Sequence, residues 1–250
     1  MTDNGYTDID VRSENGVVHI ILNRPDRLNA IRINTYRELI EALRQADDSD
    51  SCQVILLSGQ GKNFTAGNDL QDLLDAEADQ VMEGVQGIFD CVASLKKVLV
   101  AAVEGVAVGI GTTLLLHCDI VVAARTARFR LPFVNLGVSP EGGSSRLLAR
   151  AVGEKAAREL LLTGRFFSAE EAMSWGLLSG LAEPGEAETG AREYIQALLR
   201  QPLESLVATK ELMRAPTTEV GDVVAAELEV FSRLLQNEHT KKRISSLIRG

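Results

Sequence analysis

Three segments place glycine or asparagine where the chain leaves a strand, an arrangement that frees backbone N–H groups to face a ligand. They are NRPDRLNAI (Asn23 to Ile31), FTAGNDL (Phe64 to Leu70) and EGVAVGIGTTLLLHCDI (Glu104 to Ile120). Taken singly, each segment reads better as an ordinary tight turn. A fourth segment, LGVSPEGGSSRLL, sets Glu141 between Pro140 and two glycines, where a loop feeds a helix. Its carboxylate could move protons, or it could complement a helix N-terminus, a use worth about 0.3 to 1 kcal/mol.

Other reactive side chains carry less. His19, His117 and His239 lack metal-ligand spacing, so no metal is assigned. Ser144 and Ser145 follow two glycines, but no G-x-S-x-G surrounds them, and they read as caps of the next helix. Asp69 and Asp119 read as acids that fix loops. Cys52, Cys91 and Cys118 are odd in number and show no C-x-x-C spacing, which predicts reduced, buried thiols.

The chain has 250 residues, 45% of them hydrophobic, with a formal charge of -9 and a pI near 5.0. That length fits one large α/β domain with at most a small appendage. The acidic balance argues against nucleic acid and against an anionic membrane surface as partners. MTDNGYTDID carries neither a basic region nor an apolar stretch, and no run approaches spanning length, so a cytoplasmic location is expected.

Positioning these residues requires alternating strands and helices. Val17 to Leu22 reads as a strand, Ile33 to Leu43 as an amphipathic helix ending near Asp47, and Val54 to Leu57 as a buried strand. A helix over 79–95, a fully apolar strand Val98 to Val103, a helix over Val108 to Leu116 and a strand Ile120 to Ala123 follow. From Ser144 onward helical patterns dominate, at 145–151, 155–162, 169–175 and 187–199, with one short strand near Leu181. The predicted class is α/β with an all-helical C-terminal region and a boundary near residue 185.

Taken together and in this order, N-R-P-x-x-x-N-A, F-x-A-G-x-D-L, V-x-G-x-x-x-G and the following C-D-I resemble the crotonase (enoyl-CoA hydratase/isomerase) family over roughly residues 10 to 180. The resemblance implies a crotonase-like ββα spiral core over 1–185 and a helical trimerisation region over 186–250, in a homotrimer or a dimer of trimers. It implies an acyl-CoA substrate, with coenzyme A as part of that substrate and no further cofactor. Arg27, Leu28 and Ala30 would contact the CoA, Ala66, Asp69 and Leu70 would line its adenine and pantetheine region, and Gly67 and Gly109 would let the backbone approach. The N–H groups of Asn68 and Ile110 would form the oxyanion hole. Phe231 and the cluster around Lys241 could complete the adenine and phosphate site, or could be a solvated helix end.

The two glutamates that hydratases of this family use fall at Thr113 and Phe133, and neither is acidic here. S-P-E-G-x-S-S is similar to the Δ3,Δ2-enoyl-CoA isomerase branch, which makes Glu141 the expected acid/base. Another crotonase thioester chemistry, including hydration, and a non-catalytic acyl-CoA-binding scaffold are the alternatives. Phe133, Leu136 and Val138 would raise the pKa of Glu141, whereas a helix N-terminus would lower it. The floor of the acyl pocket is expected from the segment between about residues 71 and 95.

Overall fold

The computed structural model describes residues 5–75, 78–214, 224, 227–231, 233, 238, 240 and 242. The chain opens with a hairpin, in which β1 (Ile9–Glu14) turns through Asn15 and Gly16, both at positive φ, into β2 (Val17–Leu22). Asn-Gly accepts left-handed backbone at both positions and suits the twist of the flanking strands. The sequence predicts no strand at 9–14, because the alternation in IDVRSE is weak, and in the fold Ile9 alone of these residues is fully buried.

Next come α1 (Ile33–Asp48), β3 (Val54–Gly59), α2 (Leu70–Asp75), α3 (Ala78–Ser94) and β4 (Val98–Val103). The chain continues through β5 (Val106–Val108), α4 (Ile110–Leu115), β6 (Ile120–Ala124) and β7 (Arg128–Arg130). Then follow α5 (Ser144–Val152), α6 (Glu154–Thr163), β8 (Phe166–Ser168), α7 (Ala169–Ser174), β9 (Gly180–Ala182), α8 (Ala187–Leu199) and α9 (Leu203–Arg214).

One sheet has the order β1-β2-β3-β4-β6-β9 and is parallel from β2 onward. Every residue of β2 and β4 is buried, as continuous apolar runs covered on both faces must be. A second, three-stranded sheet has the order β5-β7-β8. Phe129 of β7 and Phe167 of β8 are fully inaccessible and stack with centroids 5.4 Å apart. These strands have three residues each, too few to show a period in sequence, and their pairing is supplied by the sheet they join. β5 also shortens the helix expected over 108–116. Val108 donates to the Thr65 carbonyl at 3.0 Å, which holds it extended, and Gly109, at φ 56° and ψ −120°, turns the chain so that helix begins at Ile110.

The chain divides into two compact units, 1–198 and 199–250. The first takes in nearly all of α8, beyond the boundary read near residue 185. Tyr194 Oη of α8 donates to the Ser179 carbonyl at 2.6 Å, and Gly190 lies so close to Val122 and Ala182 that a Cβ there would stand 3.2 and 3.3 Å from their side chains. In the second unit α9 follows Pro202, and Phe231 and Lys242 are exposed. Lys241, Arg243 and His239 lie outside the described residues. Among the described residues no helix is long and apolar enough to cross a membrane.

Candidate active site

The first motif makes a single tight turn at Pro25–Arg27, after which Leu28 and Asn29 both take left-handed backbone, at φ 50° and 56°. Asparagine tolerates that conformation because its short amide bonds locally. The Asn29 side chain, 1% exposed, accepts from Arg24 N at 3.0 Å and donates to the Gln60 and Asn63 carbonyls at 3.0 and 2.7 Å. Arg24 clamps the same turn to the second motif, donating to the Ala30 carbonyl at 2.5 Å and to Asp69 Oδ2 at 3.0 Å. Burial raises the Asp69 carboxyl, but the bonds from Arg24 and from Gln71 N outweigh it and hold the group below the usual carboxylate range. Asp69 is therefore a charged clamp at neutral pH, as the loop-fixing reading expected.

Backbone pairing then brings the motifs side by side. Ile31 N donates to the Gly67 carbonyl and Asp69 N to the Ile31 carbonyl, both at 2.8 Å, which bridges Ile31 to Asn68. On the other side Thr65 bridges Ala107 in parallel, through Thr65 N to the Val106 carbonyl and Val108 N to the Thr65 carbonyl, both at 3.0 Å. Three residues beyond these partners stand Asn68 and Ile110. Among the described residues neither N–H has an acceptor. Glycine is required for this approach, since a Cβ on Gly67 would lie 2.5 Å from the Val108 carbonyl oxygen and one on Gly111 2.5 Å from Thr65 Cγ2.

Asn68 and Ile110 face a cavity of about 670 Å³. Ala66, Gly67, Leu70 and Gly109 also line it, and Val81, Met82 and Val85 of α3 supply the wall expected from the variable segment. The stretch 130–141 also lines it, with Phe133, Leu136, Val138 and Glu141. Arg27, Leu28, Ala30 and Asp69 are not among the lining residues. Arg27, Leu28 and Ala30 belong to the first-motif turn, joined to the cavity where Ala66 N donates to the Leu28 carbonyl at 2.9 Å, and Asp69 belongs to the second motif, held to that turn by Arg24.

Glu141 is held from two sides. Ser144 N and Oγ both bond its carbonyl, at 3.0 and 2.6 Å, and His117 Nε2 bonds the next carbonyl, Gly142 O, at 2.8 Å. Gly142 is pressed against Phe89, where a Cβ would stand 2.4 Å from the ring. The N-cap of α5 is Gly143, without a side-chain cap, which corrects the reading of Ser144 as a capping residue. Ser144 is the first helical residue, and its hydroxyl turns back to Glu141.

The Glu141 carboxylate does not cap the helix either. Its Oε1 accepts from Thr113 Oγ1 at 2.5 Å, while Oε2 is sealed from solvent and has no hydrogen-bond partner among the described residues. Burial raises the pKa, the single bond from Thr113 opposes it, and the balance lies at about 7 against an ordinary 4.5. The contest left open between apolar surroundings and helix terminus thus goes to burial.

Tyr36 of α1 completes the constellation, although its position on the helix marked it only as a core residue. It is 2% exposed, and its hydroxyl donates to Asn68 Oδ1. Burial and then the Glu141 charge push its phenol well above the ordinary value, so it remains a neutral donor. Thr113, read only as a missing glutamate, is the other unforeseen contributor. The one sequence signal for either was spacing, since Thr113 follows the Ile110 donor by one helical turn and therefore lies on the same side of α4.

With this geometry in view, the sequence profile described as Enoyl-CoA hydratase/isomerase matches residues 12–248. The chain is 35% identical over 216 residues to the 1,2-epoxyphenylacetyl-CoA isomerase of Escherichia coli, covering 84% of this chain and 82% of that protein. It is 33% identical over 254 residues to enoyl-CoA delta isomerase 2 of Homo sapiens, covering 98% and 64% respectively. Among solved structures, that of an enoyl-CoA hydratase from Polaromonas sp. JS666 superposes with a TM-score of 0.90 at 32% identity, covering 96% of each chain.

Proposed function

Because the chain belongs to the enoyl-CoA hydratase/isomerase family, we propose that it moves the double bond of a 3-enoyl-CoA to the 2 position, with Glu141 as its single acid/base and the Asn68 and Ile110 N–H groups as its oxyanion hole. One observation carries this reading. Glu141 is the sole carboxylate lining the cavity among the described residues, and the two positions where a hydratase needs carboxylates hold Thr113 and Phe133.

The thioester oxygen accepts from the two N–H groups. Ionised Glu141 takes a proton from C2, the C–H electron pair passes into the carbonyl, and a dienolate forms whose charge rests on the oxygen between the two donors. Glu141 returns the proton to C4, the C2=C3 bond forms as C3=C4 opens, and the carboxylate is regenerated. Protons and electrons balance, so no cofactor beyond the CoA of the substrate takes part. A group titrating near 7 is well matched to both halves of this cycle, because it gives up and accepts a proton at comparable cost. We place the CoA portion along Arg27, Leu28 and Ala30 and across Ala66 and Leu70, where the exposed turn meets the cavity.

The test is Glu141→Gln, which keeps the shape and removes the base. Formation of the conjugated 2-enoyl thioester from a 3-enoyl-CoA should fall by at least a hundredfold. Isomerisation at the unmodified rate would sink the assignment, and water addition to a 2-enoyl-CoA at a comparable rate would favour hydration instead.

A further inference from the structure

The wall of the cavity carries one cation among the described residues, Arg130 at the end of β7. Its backbone is committed to the second sheet, paired with Val108 of β5 and Phe166 of β8, and its carbonyl accepts from Gly109 N at 2.9 Å. The guanidinium lies 5.0 Å from the centre of the Phe166 ring, and its Nε donates to the Gly164 carbonyl at 2.7 Å. Stack and bond together fix its plane, and no described residue accepts from Nη1 or Nη2. Two donors in a fixed fork, on a wall otherwise built mainly of apolar side chains, match a carboxylate in geometry and in charge.

Strand order indicates which part of a ligand they would meet. β5 lies between the Thr65 segment and β7, so Arg130 stands across β5 from Asn68 and from the turn at Leu28. We propose that Arg130 binds a carboxylate carried by the acyl chain at its end away from the thioester, making this site selective for CoA thioesters of dicarboxylic acids. The inference rests on the thioester reading of the cavity, in which the CoA occupies the opposite flank.

Calorimetry with the full chain and unreactive saturated CoA thioesters of equal length, one ending in methyl and one in carboxylate, tests it without turnover. The unmodified protein should prefer the carboxylate by roughly tenfold or more, as a charge-assisted bond implies. Arg130→Gln should bring that ratio close to one, and Arg130→Lys, which keeps the charge and loses the fork, should give an intermediate ratio. Equal affinity in the unmodified protein, or a preference that survives Arg130→Gln, overturns the proposal. Pantetheine thioesters, which lack the nucleotide, separate the other source of an anion. Should Arg130→Gln weaken both CoA thioesters alike and spare the pantetheine ones, the guanidinium holds a CoA phosphate and the acyl assignment falls. Absence of isomerisation would count against Glu141 as base and leave this binding preference standing.

Discussion

Thr113 and Glu141, 28 positions apart in sequence, are joined by a 2.5 Å hydrogen bond that is the one polar contact of the Glu141 carboxylate among the described residues. The bond ties α4, whose first residue supplies one N–H of the candidate hole, to the loop that carries the candidate base. It also lowers the proton affinity of that base against the larger effect of burial, since a hydroxyl donating to a carboxylate favours the ionised form.

The pH dependence of isomerisation should follow this group. A base that must be ionised to act gives kcat/KM that rises with pH and levels off above about 7, falling close to tenfold per unit on the acid side. Thr113→Val removes the donor while nearly keeping the volume, so the acid limb should move to higher pH. A loss of rate with an unmoved limb would assign Thr113 to packing alone.

Glu141 should also weaken the fold at neutral pH. Its folded pKa of about 7 exceeds the ordinary 4.5, so the folded state holds this proton more tightly than the unfolded chain does. The associated stability is present below pH 4.5 and is lost as pH rises through 7, amounting to roughly 3 kcal/mol at full loss. Glu141→Gln should accordingly raise Tm at pH 8 and change it little at pH 4.5. Equal shifts at the two pH values would contradict the assignment of burial as the cause.

Under the proposed mechanism Tyr36 acts through Asn68, as a positioning residue. Tyr36→Phe keeps the buried ring and removes the donor that orients the Asn68 amide. One neutral hydrogen bond corresponds to about 1 kcal/mol, so kcat should fall by around fivefold with KM nearly constant. Steady-state kinetics checks this, and a change confined to KM would place the effect in ground-state binding.

His19 gives a stability signature of opposite sign. Its ring is buried, with Nε2 bonded to Ser58 Oγ at 2.8 Å, and burial lowers its pKa to about 4 from 6.5 despite the opposing charge of Glu188. The folded state therefore prefers neutral imidazole, so stability is whole above pH 6.5 and declines as pH falls toward 4. Asp8, held near 2 by Arg32 and Thr35 against its burial, keeps its stabilisation above about 3.8 and loses it only below, which leaves that window clear. In a Glu141→Gln background, where the other titration is absent, denaturant midpoints should fall between pH 6.5 and 4.5, and His19→Asn should flatten the fall.

The helix α1 and the strands β2, β3, β4 and β6 were legible in the sequence because each is long enough for its period, or for a continuous apolar run, to show. The three-residue strands of the second sheet were not, since pairing alone makes them strands. α8 reads correctly as a helix, yet its membership of the first unit depends on Gly190 and Tyr194 meeting β6, β9 and the chain before it, which no local pattern records.

Local chemistry written along the chain was enough to mark where backbone must turn tightly or approach closely, at glycines 67, 109 and 111 and asparagine 29, and to set Glu141 in a loop before a helix. Such requirements depend on neighbouring residues and on φ, and so survive in a linear reading. Only the folded chain decided that Asn68 and Ile110 lie in register through Thr65 and Ala107, that Thr113 rather than a helix terminus meets Glu141, and that Tyr36 reaches Asn68. Proton affinity and donor convergence arise from groups dozens of residues apart brought together where water is excluded, and that proximity exists only after the sheets have formed.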